Sequence, residues 1–186
     1  MNISISRIIK ASICILNEEG IGSLTMRKIA AKLNIAAPSL YFHVKDKLEL
    51  YGFITEYICE VILRQISPKN TLQEICFILR KEYKAVHDSP QLFIKSPPST
   101  KDRITLINIF LAKLRKSGVA GKHLTAAANL LNNYILSFVI DEETWDNKEK
   151  GIVDIPFKLD THNADKQFKF GLQVILKGLR SFGRQK

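Results

Sequence analysis

Residues 25–47 of this 186-residue chain concentrate side chains that suit contact with nucleic acid. Tyr41, Phe42 and His43 stand in a row and offer aromatic surface and hydrogen-bonding groups to bases. The cations that frame this row are Arg27, Lys28, Lys45 and Lys47. Phosphate contacts position a protein on a duplex, and contacts to base edges supply specificity. The stretch therefore contains side chains for both kinds of contact.

A short helix, a tight turn and a second short helix are expected to position these side chains. Thr25 is a suitable N-cap for the first helix, and Asn34 tolerates the left-handed backbone that often ends a helix. Pro38 suits the opening turn of the second helix, where its missing N–H is not needed. Leu40 is expected to point to the core. The residues expected to face outward are Ala37, Ser39, Tyr41, Phe42 and His43. This is the arrangement of a helix-turn-helix, whose second helix enters the major groove of DNA.

The composition agrees with a nucleic-acid partner but does not locate the site. The net charge is +10, from 28 Lys and Arg against 18 Asp and Glu, and most of the excess lies in residues 61–122. No signal peptide and no bilayer-spanning run are visible, so we expect a cytoplasmic protein with no membrane partner. The three cysteines have no metal-ligand spacing and are expected to be small buried hydrophobes: Cys14, Cys59 and Cys76.

Other signals divide the chain into further helices and indicate an all-α fold. Ser4 or Ser6 can cap a first helix that ends at Gly20 and buries Ile9, Ile13 and Leu16. Asp46 and Glu49 form a capping box that opens a connecting helix over 47–66. Thr71 and Glu74 form a second box, and the helix that follows has the apolar face Leu72, Ile75, Leu79, Tyr83 and Val86. A brief turn is expected over 91–95, then a helix whose apolar face is Ile104, Ile107, Leu111 and Leu114.

The last two predicted helices, 122–142 and 164–182, carry apolar residues on more than one face. Such helices must be covered nearly all round, and a second copy of the chain can cover what one copy cannot. We therefore expect a homodimer through these helices, with a loop over 144–161. The predicted domains are a DNA-binding domain at 1–47, followed by a ligand-binding and dimerisation domain at 48–186.

Two runs resemble the tetracycline-repressor (TetR) family of transcriptional regulators. The first is Thr-x-Arg-Lys-Ile-Ala-x-Lys-Leu-x-Ile, and the second is Pro-Ser-Leu-Tyr-Phe-His-Val-Lys-x-Lys. The segments from Tyr134 and from Phe170 resemble the family's C-terminal domain more weakly. The resemblance implies a homodimeric repressor that leaves palindromic operator DNA when a small-molecule effector binds.

The resemblance also assigns roles within the helix-turn-helix. Arg27 matches an arginine that contacts DNA, Tyr41 and Lys47 match phosphate contacts, and Phe42 matches an aromatic residue in the groove. Ala37 stands where the family's namesake has a base-reading glutamine, so the operator is expected to differ. The full set of predicted DNA-binding residues is Thr25, Arg27, Lys28, Ala37, Pro38, Ser39, Tyr41, Phe42, His43, Lys45 and Lys47.

The resemblance further implies an effector pocket in the second domain for a largely apolar molecule. The candidate lining residues are Phe93, Ile94, Phe110, Leu131, Tyr134, Ile135 and Asp141. Magnesium–tetracycline is not the expected effector, because Ile94 stands where a metal-binding histidine is needed and Leu63 where a polar contact is needed. Asp141 keeps an acid, but one carboxylate does not make a magnesium site. No metal and no cofactor are expected.

The chain offers little for catalysis, so we expect no enzyme activity. Its four histidines are scattered, and it lacks His-Glu-x-x-His, Gly-x-Ser-x-Gly and a glycine-rich phosphate loop. The expected function is sequence-specific DNA binding in transcription regulation, as a ligand-responsive repressor. The alternative is a helical dimeric module that binds a small molecule or a protein and does not bind DNA.

Overall fold

The computed structural model describes residues 3–146 and 161–183, and within these ranges all regular structure is helical. The α-helices are α1 (Ile5–Glu19), α2 (Met26–Lys32), α3 (Ala37–Tyr41), α4 (Lys47–Gln65), α5 (Leu72–Lys84), α6 (Ser89–Lys95), α7 (Lys101–Lys116), α8 (Leu124–Asp146) and α9 (Ala164–Gly183). The described part of the chain contains no helix that is both long enough and apolar enough to cross a bilayer. The all-α prediction is confirmed.

The chain divides into two compact units. The first comprises the described residues up to Gln65 together with Glu82–Thr105. The second comprises Ile66–Lys81 together with the described residues from Leu106 onward. Helices α5 and α7 each contribute residues to both units.

Helix α1 follows its predicted signals at both ends. The Ser4 hydroxyl accepts a hydrogen bond from the Arg7 amide, and Gly20 ends the helix at φ +75°, a left-handed value that favours glycine. The predicted apolar face is only partly correct, because Ile13 is half-buried whereas Ile8 and Ile15 are fully buried. The buried face is therefore broader than the one predicted from Ile9, Ile13 and Leu16.

Helix α4 is the long helix of the first unit and packs against both α1 and α6. The Asp46 carboxylate accepts from the Glu49 amide at 2.8 Å. The Glu49 carboxylate accepts from the Lys45 amide at 2.6 Å rather than from that of Asp46. This is the predicted box with its return bond displaced by one residue. Thr71 and Glu74 form both bonds of the second predicted box, at 3.2 and 2.7 Å.

The prediction of a brief turn over residues 91–95 is wrong, because these residues belong to α6. Ser89 and Pro90 form the first turn of this helix. A proline is tolerated in the first turn, where no intrahelical N–H bond is required. The break between α5 and α6 lies instead at Asp88, which adopts a left-handed backbone with φ +60°.

The apolar face predicted for α7 is also wrong in part. Ile104 and Ile107 are 44% and 38% exposed, whereas Leu106, Phe110 and Leu114 are buried. Apolar residues at both sets of positions fit a helical spacing, so periodicity alone cannot choose between the two stripes. The buried stripe is the one that contains Phe110, the largest of these side chains.

Helices α8 and α9 lie close to their predicted limits. The predicted loop over 144–161 is wrong at its start, because α8 continues to Asp146 and includes Trp145. Residues 147–160 lie outside the described part of the chain. The predicted burial of the three cysteines is confirmed for Cys59 and Cys76, whereas Cys14 is half-buried.

A buried ion pair anchors α5 to α8 within the second unit. Two guanidinium nitrogens of Arg80 donate to the two carboxylate oxygens of Glu142 at 2.7 and 2.8 Å. The exposed Asp165 accepts a third bond at 2.7 Å. The guanidinium carbon also lies 5.1 Å from the Phe138 ring centroid and 4.8 Å from that of Phe168. Burial lowers the pKa of Arg80, but the bonds to both carboxylates outweigh that effect and raise it above its ordinary value.

We predict that Arg80→Met lowers the free energy of unfolding by about 3 kcal/mol, because it removes the guanidinium that forms two hydrogen bonds with the buried carboxylate of Glu142. The double variant Arg80→Met/Glu142→Leu should lose much less, since both charges leave together. Urea denaturation followed by circular dichroism measures both values. Arg115→Met, at an exposed position on α7, should change stability by no more than about 0.5 kcal/mol. Equal losses in the single and double variants would contradict this account.

Candidate nucleic-acid interface

The backbone over residues 25–41 forms the predicted helix–turn–helix. Thr25 caps α2, and its hydroxyl accepts from the Lys28 amide at 3.2 Å. Asn34 has φ +55°, which places the turn in the left-handed region and redirects the chain toward α3. Pro38 lies in the first turn of α3. The predicted roles of these three residues in the backbone are confirmed.

A small set of fully buried side chains holds the two short helices. Ile29 of α2 and Leu40 of α3 have no exposed surface, and neither do Leu24 and Val44 on either side of them. Helix α2 packs against α1 and α3. Leu40 is the only buried residue of α3, so the remainder of that helix is available to a partner.

The side chains predicted to face outward do so to different degrees. Phe42 is 88% exposed and Tyr41 is 54% exposed. Pro38 is also exposed. The half-buried members of the set are Ala37, Ser39 and His43. The outward face of α3 therefore combines a large aromatic surface with the partly accessible hydroxyl of Ser39 and imidazole of His43.

The cations around α3 fall into two groups. Arg27, Lys45 and Lys47 are exposed, and none of them forms an ion pair with a described residue. The Lys47 ammonium lies 5.8 Å from the Tyr51 ring centroid. Lys28 instead forms a salt bridge with Glu19, and this hydrogen bond holds the pKa of Glu19 below its ordinary value. The first group is the one available to phosphates without breaking an internal pair.

The ion pairs formed by two acids at the end of α1 were not predicted from the sequence. Glu19 pairs with Lys28, and Glu18 pairs with Lys32 at 2.6 Å, so α1 and α2 are joined by two salt bridges. Such exposed pairs contribute little to stability. They do assign two of the lysines near the interface to internal partners. The adjacent acids before Gly20 were the available signal.

A polar clasp, formed by Asn17 and Asp88, also escaped prediction. The Asp88 carboxylate accepts from the Ile21 amide at 2.6 Å, and the Asn17 side-chain oxygen accepts from the His87 amide at 2.9 Å. Both bonds join the end of α1 to the turn between α5 and α6, within the first unit. The clasp fixes the segment that leads directly into Thr25 and α2.

The candidate effector residues are distributed over both units. Phe93 is buried in the first unit, where its ring centroid lies 4.5 Å from that of Tyr83 and 5.0 Å from the Arg103 guanidinium. Ile94, its neighbour on α6, is 65% exposed. The other five candidates belong to the second unit.

Four of those five lie on α8, and most are already packed. Leu131 and Ile135 have no exposed surface, and Phe110 of α7 is 6% exposed. The Tyr134 hydroxyl donates to the Phe168 carbonyl at 3.0 Å, and burial raises the pKa of Tyr134 to about 12. Asp141 is exposed, although partial burial of its carboxyl raises the pKa. Their role in effector binding remains a prediction.

Comparison with known proteins identifies the helix-turn-helix. Residues 8–52 match the sequence profile of "Bacterial regulatory proteins, tetR family". The tetracycline repressor protein class E of Escherichia coli is 26% identical over 95% of this chain and 90% of its own length.

Residues 8–52 are thus similar to the tetR family of bacterial regulatory proteins.

Solved structures extend the likeness of this chain beyond the profile match. BioQ, in a crystal structure with its natural double-stranded DNA operator, superposes with a TM-score of 0.77 at 26% identity, over 96% of this chain and 99% of BioQ. A TetR variant from Acinetobacter baumannii AYE in complex with minocycline superposes with a TM-score of 0.82 at 23% identity, over 99% and 100% of the two chains. The fold of these two solved structures therefore covers the residues of both units.

We predict that Asp88→Ala lowers the free energy of unfolding by about 2 kcal/mol, because it removes the acceptor of the Ile21 amide and leaves alanine in a left-handed backbone. Asp88→Asn is the matched control, since asparagine tolerates that backbone and keeps an acceptor oxygen. Amide hydrogen exchange should also speed up at Ile21 in the alanine variant alone. Equal stability and equal exchange in the two variants would contradict the clasp.

Proposed function

We propose that this chain is a sequence-specific DNA-binding transcriptional regulator, a repressor that a small-molecule effector releases from a palindromic operator. The observation that carries the proposal is the outward face of α3, where Phe42 is 88% exposed and Tyr41 is 54% exposed. Neighbouring apolar side chains that are exposed to water together often mark a surface that binds another molecule. BioQ, a relative of similar length, has been crystallised with an operator duplex.

The interface divides into residues that hold phosphates and residues that read bases. Arg27, Lys45 and Lys47 are exposed and take the phosphates, and Thr25 at the N-terminus of α2 is a further contact. Lys28 joins them only by exchanging Glu19 for a phosphate. Ser39 and His43 offer hydrogen-bonding groups to base edges in the major groove. The proposed DNA-binding domain is therefore residues 1–47.

The second part of the proposal is a homodimer. Leu130 on α8 is 49% exposed, and Phe170 and Val174 on α9 are 70% and 54% exposed. Phe170 and Val174 lie four residues apart and so share one face of α9. A second copy that covers these side chains removes apolar surface from water. Two-fold symmetry then presents two recognition helices to a palindrome, whose half-sites lie roughly 34–36 Å apart.

The third part is release by an effector bound in residues 48–186. Its observational support is the group on α8, where Tyr134 and Asp141 lie seven residues apart on the same helix as the fully buried Leu131 and Ile135. An effector weakens DNA binding only if it prefers the conformation that binds DNA poorly. The packed state of Leu131 and Ile135 implies that a bound molecule must displace them. The place of action is the cytoplasm, where the operator lies and the free thiols stay reduced.

A selection from random duplexes tests the central claim. An enriched palindrome supports it, and the absence of any enriched sequence favours a helical binding module that does not contact DNA. The selected duplex then serves as the operator in the measurements that follow.

We predict that Arg27→Ala and Lys47→Ala each weaken binding to every duplex, because each removes a phosphate contact. Because the proposed dimer carries each change in both subunits, each should also reduce the slope of log affinity against log salt by about 1.8. Ser39→Ala should change the ranking of operator variants and leave that slope unchanged. Fluorescence anisotropy at several salt concentrations measures all three, with the exposed Lys122→Ala as a control. An unchanged affinity in Arg27→Ala would remove Arg27 from the interface.

We also predict that the double variant Phe170→Glu/Val174→Glu is a monomer with reduced operator affinity. Both side chains are exposed in the single chain, so the change should leave the fold of each chain intact while it places charges in the shared interface. Sedimentation equilibrium and anisotropy measure mass and affinity. Ile104→Glu, at an exposed isoleucine of α7, is the matched control. A native chain that sediments as a monomer at working concentration would contradict the dimer.

A further inference from the structure

We propose that Glu56 is a positioning residue for the recognition helix α3, because its carboxylate ties α4 to the first turn of α7 through a cap that Thr100 can replace. The hydrogen bonds from the amides of Asp102 and Arg103 to the Glu56 carboxylate form this contact, which we name the α4–α7 bridge. The inference rests on the proposed DNA-binding function and adds a residue that sets the direction of α3.

The α4–α7 bridge lies within the first unit. The Asp102 amide donates to the two carboxylate oxygens of Glu56 at 2.9 and 3.1 Å, and the Arg103 amide donates to one of them at 3.3 Å. All three residues belong to the first unit. The first amides of a helix have no partner within that helix, and a carboxylate beside them also meets the positive end of the helix dipole. Glu56 on α4 therefore supplies the cap that α7 needs.

Thr100 occupies the position from which a helix is ordinarily capped. Its carbonyl accepts from the Ile104 amide at 3.0 Å, which makes Thr100 the N-cap residue of α7. The hydroxyl of an N-cap threonine normally accepts from the amide two or three residues further on, here that of Asp102 or Arg103. The Thr100 hydroxyl oxygen is instead buried and has no hydrogen-bond partner among the described residues.

Two other threonines in the chain show the ordinary arrangement. The Thr25 hydroxyl accepts from the Lys28 amide, and the Thr71 hydroxyl accepts from the Glu74 amide, both at 3.2 Å. Thr100 differs from them because Glu56 already binds the amides within its reach. Glu56 and Thr100 are therefore alternative acceptors for the same amides.

This pair of acceptors allows α4 to separate from α7 at a small cost. When Glu56 withdraws, the Thr100 hydroxyl accepts in its place, so the start of α7 keeps a cap. Glu56 is half-buried, and its carboxylate can be hydrated once it leaves. Two arrangements that differ little in free energy are the condition for a conformational switch.

Helix α4 passes its direction to α3 through a short and well-anchored connection. Helix α3 ends at Tyr41 and α4 begins at Lys47. Leu40, Val44 and Leu50 have no exposed surface, so the end of α3, the connection and the start of α4 are all fixed in the core. A change in the direction of α4 therefore carries α3 with it. Glu56 lies nine residues beyond Lys47, about 14 Å along the helix axis.

A double-mutant cycle tests the exchange of acceptors without DNA. Thr100→Val removes a hydroxyl that has no partner, so it should not lower the folding equilibrium constant. Glu56→Ala should lower it by less than the loss of a whole cap, because Thr100 replaces Glu56. The double variant should lose about fivefold more than the two single variants predict together, since both acceptors are then absent. Urea denaturation measures all three constants.

The control cycle replaces Thr100→Val by Thr105→Val. Thr105 is an exposed threonine of α7 whose hydroxyl donates to the Lys101 carbonyl at 2.9 Å. Its loss should add to that of Glu56→Ala without coupling.

Operator binding tests the positioning role. Glu56→Ala removes a negative charge, which by itself favours DNA binding. We expect the opposite, a fall in affinity of about threefold or more, because α3 is no longer held in one direction. The slope of log affinity against log salt should stay the same, since no phosphate contact is lost. Fluorescence anisotropy with the selected operator measures both quantities.

Two further variants of α4 assign the effect to the bridge. Glu60→Ala is the matched control, because Glu60 lies one turn further along and pairs with Arg64 of the same helix. It also removes a negative charge and should not weaken binding. Glu56→Gln keeps an acceptor oxygen for the α7 amides and should lose less affinity than Glu56→Ala.

The outcomes separate this inference from the function beneath it. Losses that simply add in the cycle of Glu56 and Thr100 would overturn the exchange of acceptors. An operator affinity that Glu56→Ala leaves unchanged or increases would overturn the positioning role and leave the DNA-binding function in place. Failure to select any operator would overturn that function and the positioning role together, whereas the cycle would still decide the exchange.

Discussion

The interface depends on one constraint, which is that a helix as short as α3 cannot hold itself together. Five residues form too few backbone hydrogen bonds to offset the cost of ordering them. The helix persists because Leu40 is buried beneath it and because Ile29 and Val44 are buried on either side in the chain. One buried residue out of five leaves an unusually large share of the helix free to contact another molecule. Because only one residue of α3 is buried, its position is also sensitive to the contacts that hold α1 and α2.

Local signals were sufficient to predict most of the helices. The caps at Thr25, Asp46 and Thr71 bond to residues only three or four positions away, so both partners can be recognised from the sequence. Asn34 and Pro38 are of the same kind, since each restricts its own backbone. These residues explain why the helix-turn-helix could be predicted in detail. Its contacts with DNA involve a partner that the sequence does not contain, and they remain predictions.

The failures concern interactions between distant parts of the chain. Ser89 and Pro90 suit both the end of one helix and the start of another, and the left-handed Asp88 decides between them. Ile104 and Leu106 lie on two apolar stripes of α7, and packing within the folded units selects the second. The pairing of Arg80 with Glu142 joins residues 62 positions apart, and neither residue has a local pattern that identifies the other. Tertiary packing, rather than propensity, determined each of these features.

The two salt bridges between α1 and α2 have a consequence for how the chain samples a chromosome. A carboxylate beside a lysine cancels much of the lysine's charge, so the pair attracts a phosphate less than the lysine alone would. Glu18 and Glu19 thus reduce the attraction that Lys32 and Lys28 would otherwise exert on any stretch of duplex. Weaker non-specific binding shortens each stay of the protein on a sequence other than its operator, and so speeds the search for the operator.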